Sequence, residues 1–162
     1  MPPLPIADLD SLNPAKPLYT REDIYKILPQ RYEFEQLDGI LYLDREKEVA
    51  AGVRNLKTDE WWCRGHMPGH PLFPGVLMLE CAAQLAAFVQ VKVFPMKGDF
   101  MAFGGVDGVK FRGSVEPPAQ LIMLCKLVEA RSRRFICDMQ GFCQNQMVFE
   151  GRITGLPFLK EG

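Results

Sequence analysis

The sequence predicts an α+β fold in which a curved antiparallel sheet wraps around one long, buried central helix. The helix begins near Val76 and is apolar on nearly every side through Val89, as expected for a helix with no solvent-facing surface. In the last third of the chain, apolar and polar residues alternate with a period of two in three segments joined by short turns. These segments lie at residues 121–128, 135–141 and 147–154. Long strands with short connections are typical of an antiparallel sheet.

The chain before the sheet divides into an arm and the start of one domain. Residues 1–19 are rich in proline and are expected to form an extended arm, and residues 20–162 are expected to form a single domain. Thr20 and Asp23 fit the pattern of a capping box, which predicts a short helix that ends before Pro29. The inward-facing residues of this helix should be Ile24, Ile27 and Leu28.

Further strands are predicted from apolar runs bounded by turn residues. They should cover residues 40–43 and 49–56, and residues 100–105 and 106–112 are strand-like with glycines in the middle. Gln144-Asn145 is the predicted turn of a hairpin between the last two strands.

Composition excludes several classes of function. The formal net charge is −1, so there is no electrostatic case for nucleic-acid binding. The five cysteines form no CxxC motif and the N-terminus has no signal-peptide pattern, so a cytoplasmic protein with reduced thiols is expected. No membrane span is expected, because Gln84, Gln90 and Lys92 interrupt the apolar helix and Pro95 stops it.

The candidate site lies where a loop runs into the buried helix, in the sequence GHMPGHPLFPGVLMLECAAQ from Gly65 to Gln84. Glu80 and Gln84 are four residues apart, so they share one face of the helix. A carboxylate in a buried helix is costly unless it is partnered or used, and His66 in the preceding loop is a suitable partner for proton transfer.

These residues resemble the (3R)-hydroxyacyl-acyl carrier protein dehydratases of bacterial fatty-acid synthesis. The family signature is a Gly-His-Phe-Pro-Gly loop, then Pro-Gly-Val, then an apolar helix with Glu and, four residues later, Gln. Here the loop is Gly65-His66-Met67-Pro68-Gly69, and Pro74-Gly75-Val76, Glu80 and Gln84 follow at the family's spacing. The resemblance covers roughly residues 21–156 and implies the hotdog fold. The chain departs from the family at Gln30 and Glu33, where the family has His and Pro in a segment near the acyl tunnel, so the resemblance does not imply an acyl chain length.

The expected reaction is the dehydration of a (3R)-hydroxyacyl thioester to the trans-2-enoyl thioester. His66 suits the base that removes a proton from C2, and Glu80 suits the acid that protonates the leaving hydroxyl if burial raises its pKa. The free amide of Gly75 at the helix N-terminus is expected to bind the thioester oxygen, as that position does in the family. Gln84 would orient Glu80 or hold a water molecule.

The resemblance also implies partners. The substrate should arrive on acyl carrier protein, although the residues do not distinguish this carrier from coenzyme A. In the family the His and the Glu of one active site come from different subunits, so a homodimer with shared sites is expected, and a trimer of dimers stays open. No cofactor is expected, and no metal, because Pro68 and Gly69 prevent the helix that would align His66 with His70.

The residues alone leave other interpretations open. Glu80 could form a buried ion pair with Arg64, and Gln84 could serve packing alone. A hotdog thioesterase or a non-catalytic acyl-binding protein would use the same fold for another purpose. A dual dehydratase and isomerase is disfavoured, because such relatives usually carry Asp where this chain has Glu80.

Overall fold

The computed structural model describes residues 1–98 and 100–159. The predicted domain of residues 20–162 therefore has residue 99 and its last three residues outside the described residues, and the division into arm and domain stays a prediction. The helices are α1 (Arg21–Ile27) and α2 (Gly75–Val93), with short 3-10 turns at Leu9–Ser11 and Tyr32–Phe34. The strands are β1 (Tyr19–Thr20), β2 (Gly39–Asp44), β3 (Val49–Leu56), β4 (Phe100–Phe111), β5 (Ala119–Arg131), β6 (Arg134–Cys143) and β7 (Gln146–Phe158).

All seven strands form one antiparallel sheet in the order β1-β2-β3-β5-β6-β7-β4. The β6–β7 hairpin turns at Gln144 and Asn145, which both have positive φ (50° and 60°), as a two-residue type I′ turn requires. The predicted hairpin is confirmed. The two strand-like segments predicted over residues 100–112 form one long strand, β4, which ends at Phe111 and has two irregularities in its register.

The helix α2 packs against β3, β4, β5, β6 and β7, so the sheet wraps around it as predicted, and the α+β hotdog architecture is confirmed. By length and mean hydropathy (1.6) α2 could cross a membrane, which the interruptions by Gln84, Gln90 and Lys92 were expected to prevent. More than half (56%) of the apolar stretch of α2 is nevertheless buried inside the chain, as in the core helix of a folded domain. Its innermost side chains include Leu85 and Phe88.

The helix α1 begins with the predicted capping box. The Thr20 side chain accepts a hydrogen bond from the Asp23 amide, and the Asp23 carboxylate accepts one from the Thr20 amide. Its inward face differs in part from the prediction, because Tyr25 is buried and Ile27 is only partly buried. Tyr25 thereby brings a hydroxyl group into the protein interior.

The N-terminal arm lies on the outer face of the sheet, opposite α2. Its apolar side chains, including Ile6 and Leu12, pack against a small buried cluster centred on Leu124 and Phe142. Gln140 holds the arm by two hydrogen bonds, accepting from the Ile6 amide (2.7 Å) and donating to the Leu4 carbonyl (2.9 Å). The arm therefore covers part of a sheet face that would otherwise be exposed.

The strand β4 forms one edge of the sheet and pairs only with β7 in the described chain. It carries large exposed apolar side chains, namely Phe103, Val106 and Phe111. An unpaired edge with such residues is a surface on which another strand can pair.

Candidate active site

The loop before α2 is anchored at both ends in the core. Trp62 and Phe73 are buried with their rings 5.3 Å apart, and the Phe73 amide donates to the Val115 carbonyl (2.8 Å). Between these anchors, the His66 amide donates to the Trp62 carbonyl (2.9 Å) and the Leu72 amide donates to the His66 carbonyl (2.8 Å). The loop therefore holds the backbone of His66 in one position.

The His66 ring is partly buried, and its tautomer follows from its partner. Nδ1 lies 2.8 Å from the Leu72 carbonyl oxygen, which can only accept, so Nδ1 carries the proton. In the neutral ring Nε2 then keeps a free lone pair, which is the form of histidine that can remove a proton.

The first turn of α2 follows directly from this loop. Pro74 caps the helix without a side-chain hydrogen bond, and its carbonyl accepts from the Leu77 and Met78 amides. Within the described residues no acceptor is found for the Gly75 amide, as expected for the first amide of a helix. A Cβ at Gly75 would lie 2.9 Å from a carbon of the Phe111 ring, so glycine lets β4 approach the helix end. No motif of the sequence predicts this contact between Gly75 and Phe111.

Glu80 lies one and a half turns into α2 and faces an apolar cavity of about 380 Å³ between the helix and β4, β6 and β7. The cavity also meets Pro29, Gln30, Ala83, Ala87, Phe135 and residues 100–103 and 153–155. Burial raises the pKa of the Glu80 carboxyl, and a hydrogen bond donated by Gln84 lowers it in part. The net effect is upward, so the carboxyl keeps its proton to a higher pH than an exposed glutamate does.

A second cavity of about 210 Å³ adjoins the first. Pro29, Gln30, Ala87, Phe100 and Met101 line both. The two cavities together form a space, lined mainly by apolar side chains, that leads away from Glu80 between α2 and the start of β4.

Gln84 is buried, and its side-chain amide is fully hydrogen-bonded: both hydrogens on Nε2 are donated, and Oε1 accepts two hydrogen bonds. Its Nε2 donates to Glu80 Oε1 (2.8 Å) and to the Phe34 carbonyl (2.6 Å). Its Oε1 accepts from the Tyr25 hydroxyl (2.6 Å) and the Gln36 amide (3.1 Å). The predicted contact between Gln84 and Glu80 is present, whereas Tyr25 and Gln36 were not predicted.

Behind Gln84 lies a buried charged residue, Arg54. Its Nε donates to Gln36 Oε1 (3.3 Å), and its guanidinium is paired with Glu60 and, at 3.8 Å, with Asp38. Its side chain is only 7% exposed, so these acceptors neutralise a charge held away from water. The residues behind the site are therefore ordered by a polar network that continues to Gln84 through Gln36.

The other predicted site residues lie apart from this cavity. His66 is not among the residues that line it, so the described chain does not bring His66 and Glu80 to one cavity. No ion pair joins Arg64 to Glu80 within residues 1–98 and 100–159. His70 is exposed and lies 3.1 Å from Glu116, and no group of metal-ligating side chains occurs in the same described ranges.

Comparison with known proteins identifies the family. Residues 28–152 match the model of the FabA-like domain. A 3-hydroxyacyl-acyl-carrier-protein dehydratase FabZ from Albidiferax ferrireducens is 38% identical over 82% of this chain and 91% of its own length. A protein of the same name from Lawsonia intracellularis is 33% identical over 86% of this chain and 93% of its own length.

A solved structure supports the same fold. A chain of the dehydratase heterocomplex ApeI:P from Xenorhabdus doucetiae superposes with a TM-score of 0.69 at 14% identity, covering 85% of this chain and 91% of that one. The expectation that the protein is an enzyme of the hydro-lyase class is confirmed by the curated relatives. The chain belongs to the FabA-like family.

Proposed function

We propose that this protein dehydrates (3R)-hydroxyacyl thioesters, carried on acyl carrier protein, to trans-2-enoyl thioesters in fatty-acid synthesis. The observation that carries the proposal is Glu80, a carboxyl with a raised pKa in the wall of an apolar cavity of about 380 Å³. An acyl chain fits such a cavity, and a protonated carboxyl in its wall can donate a proton to a group bound there. The names of the curated relatives support the same substrate, and we propose a cytoplasmic location with it.

His66 is the proposed base and Glu80 the proposed acid. The free Nε2 of His66 takes a proton from C2, and the electron pair of that C–H bond forms the C2=C3 double bond. The C3–O bond breaks, and the leaving hydroxyl takes the proton of Glu80 to depart as water. The two proton transfers balance, so the site needs only to return a proton from His66 to Glu80 before the next turnover.

The Gly75 amide is the proposed partner of the thioester oxygen. It is unpaired in the described chain and stands at the positive end of the α2 dipole. Negative charge grows on the thioester oxygen as the C2 proton leaves, and one oriented donor stabilises such charge by about 3 kcal/mol. Gln84 holds the acid in place through its bond to Glu80 Oε1.

The active site is proposed to form between two copies of the chain. His66 does not line the cavity of its own Glu80, and β4 offers an apolar edge on which a second copy can pair. Each cavity would then receive His66 of the partner subunit. Dimers of this kind could assemble further into a trimer of dimers, and no cofactor enters the scheme.

The test of the reaction is the product formed from 3-hydroxyacyl-acyl carrier protein, measured by mass spectrometry. The wild-type protein should release one water per turnover, and Glu80→Gln should abolish this while the fold is retained. Glu22→Gln is the matched control, because Glu22 is exposed on α1 and, among the described residues, pairs only with Lys26. Release of the free carrier thiol without an enoyl product would instead identify a thioesterase.

The test of the shared site mixes two inactive variants, His66→Ala and Glu80→Gln. In a mixed dimer with shared sites, one of the two sites combines His66 from one chain with Glu80 from the other. Random mixing should therefore restore about one quarter of wild-type activity. If both residues of a site belonged to one chain, the mixture would stay inactive.

A further inference from the structure

The orientation of the Gln84 side-chain amide is determined by its surroundings. The backbone amide of Gln36 can only donate, and it faces Oε1 of Gln84. The backbone carbonyl of Phe34 can only accept, and it faces Nε2. Rotating the amide by half a turn would place donor against donor and acceptor against acceptor. Nε2 must therefore face Glu80, and it does so at 2.8 Å.

Tyr25 is the side chain that completes this arrangement. Its hydroxyl accepts from the Leu37 amide (2.9 Å) and lies 2.6 Å from Gln84 Oε1. Because the Leu37 amide occupies a lone pair of the hydroxyl, the hydroxyl hydrogen is directed to Gln84. Burial raises the pKa of the Tyr25 phenol, so the group stays a neutral donor throughout the working range of pH.

The hydrogen bond from Gln84 distinguishes the two oxygens of Glu80. Oε1 accepts from Nε2, and Oε2 has no hydrogen-bond partner among the residues that the structure describes. In a protonated carboxyl the oxygen that already accepts a strong hydrogen bond is the carbonyl oxygen, so the proton resides on the other one. The acidic proton is then on Oε2.

We propose that Tyr25 is a positioning residue for the dehydration, which through Gln84 keeps the acidic proton of Glu80 on Oε2. The inference rests on the proposed function, since it assigns no role to Tyr25 unless Glu80 is the acid. Tyr25 does not touch the substrate cavity, and its effect passes through one side chain. The link Tyr25–Gln84–Glu80 joins α1 to the middle of α2 across 59 residues of sequence.

Tyr25→Phe removes the hydroxyl and keeps the ring in the core. Gln84 then loses one of the two donors to Oε1, and its bond to Glu80 weakens. We expect kcat to fall by about ten-fold with KM unchanged, which corresponds to about one hydrogen bond in the transition state. Because the bond from Gln84 lowers the pKa of Glu80, weakening it should move the alkaline limb of the kcat profile to higher pH.

Tyr42→Phe is the matched control. It also removes one phenol hydroxyl, which donates to the Asp44 carboxylate (3.0 Å) beside the β2–β3 turn. This variant should keep both the wild-type kcat and the wild-type pH profile. A fall in kcat of Tyr25→Phe with the alkaline limb unmoved would overturn the proposal, because a purely structural loss scales the profile without shifting it.

A measurement on the wild-type protein keeps the proposal testable even if Tyr25→Phe does not fold. The two Gln84 side-chain amide hydrogens should give separate NMR signals that exchange slowly with solvent, since both are bonded. Rapid exchange of both would overturn the proposal. Failure of the proposed function itself is distinguishable, because it would appear as an inactive wild-type protein or as an active Glu80→Gln variant.

Discussion

Lengthening the side chain of Ala87 should shorten the acyl chain that the protein accepts. Ala87 lines both the cavity beside Glu80 (about 380 Å³) and the adjoining one (about 210 Å³), so it lies where the two meet. In Ala87→Leu the added carbon atoms occupy this junction. An acyl chain that ends before the junction does not meet the added carbon atoms. A longer acyl chain can no longer extend into the second cavity and loses its contacts there.

The magnitude follows from the carbon atoms that are displaced. Leucine has three more carbons than alanine and removes room for about three methylene groups, each of which contributes about 0.8 kcal/mol when buried. The loss of about 2.4 kcal/mol corresponds to about a 50-fold lower kcat/KM for long substrates. Short substrates should keep the wild-type value and therefore serve as the control within the same protein.

The assay is the initial rate of enoyl product formation from 3-hydroxyacyl carriers of graded length, with a thermal melt to establish that the variant is folded. The expected result is a break in the length dependence that appears at a shorter chain in Ala87→Leu than in the wild-type protein. An equal loss at every chain length, or none at any length, would refute the reasoning. The two cavities would then not form one continuous path for the acyl chain.

Further predictions concern stability. Gly155→Ala should lower the free energy of unfolding, measured by chemical denaturation, by about 1–3 kcal/mol, because the added Cβ would lie 2.1 Å from a carbon of the Phe135 ring. Gly105→Ala is the control and should be nearly neutral, because a Cβ there would meet no atom within 4 Å. Burial raises the pKa of Glu80, so folding binds a proton and wild-type stability falls as pH rises above about 4.3, where a free glutamate titrates. The melting temperature of Glu80→Gln relative to wild type should therefore increase with pH and level off above the pKa of Glu80; a constant difference would contradict the burial of this carboxyl. Gln140→Ala should cost about 1–2 kcal/mol by releasing two hydrogen bonds to the arm, and equal protease resistance of the arm in both proteins would count against that role.

The sequence was most informative where contacts are local. Glu80 and Gln84 are four residues apart in a helix, and the helix converts that separation into a contact, so their hydrogen bond was predictable. The capping box of Thr20 and Asp23 and the turn at Gln144-Asn145 are local in the same sense. In each case a short motif contains both partners of the interaction.

The rest of the candidate site depends on contacts between distant segments. Gln84 meets Tyr25 across 59 residues and Gln36 across 48, and no periodicity of the sequence relates such positions. The inward face of α1 was predicted only in part, because a helix of seven residues makes about two turns and defines its buried face poorly. The approach of Phe111 to Gly75 likewise appears only when β4 takes its place at the edge of the sheet.

The arm held by Gln140 gives the molecule a convenient point of attachment. Its first residue, Met1, is fully exposed, and the arm contacts the outer side of the sheet while the cavity lies on the inner side. A dye or a surface tether joined there would leave the reacting groups untouched. The fluorescence anisotropy of such a dye would also report whether the arm has dissociated from the sheet, independently of catalysis.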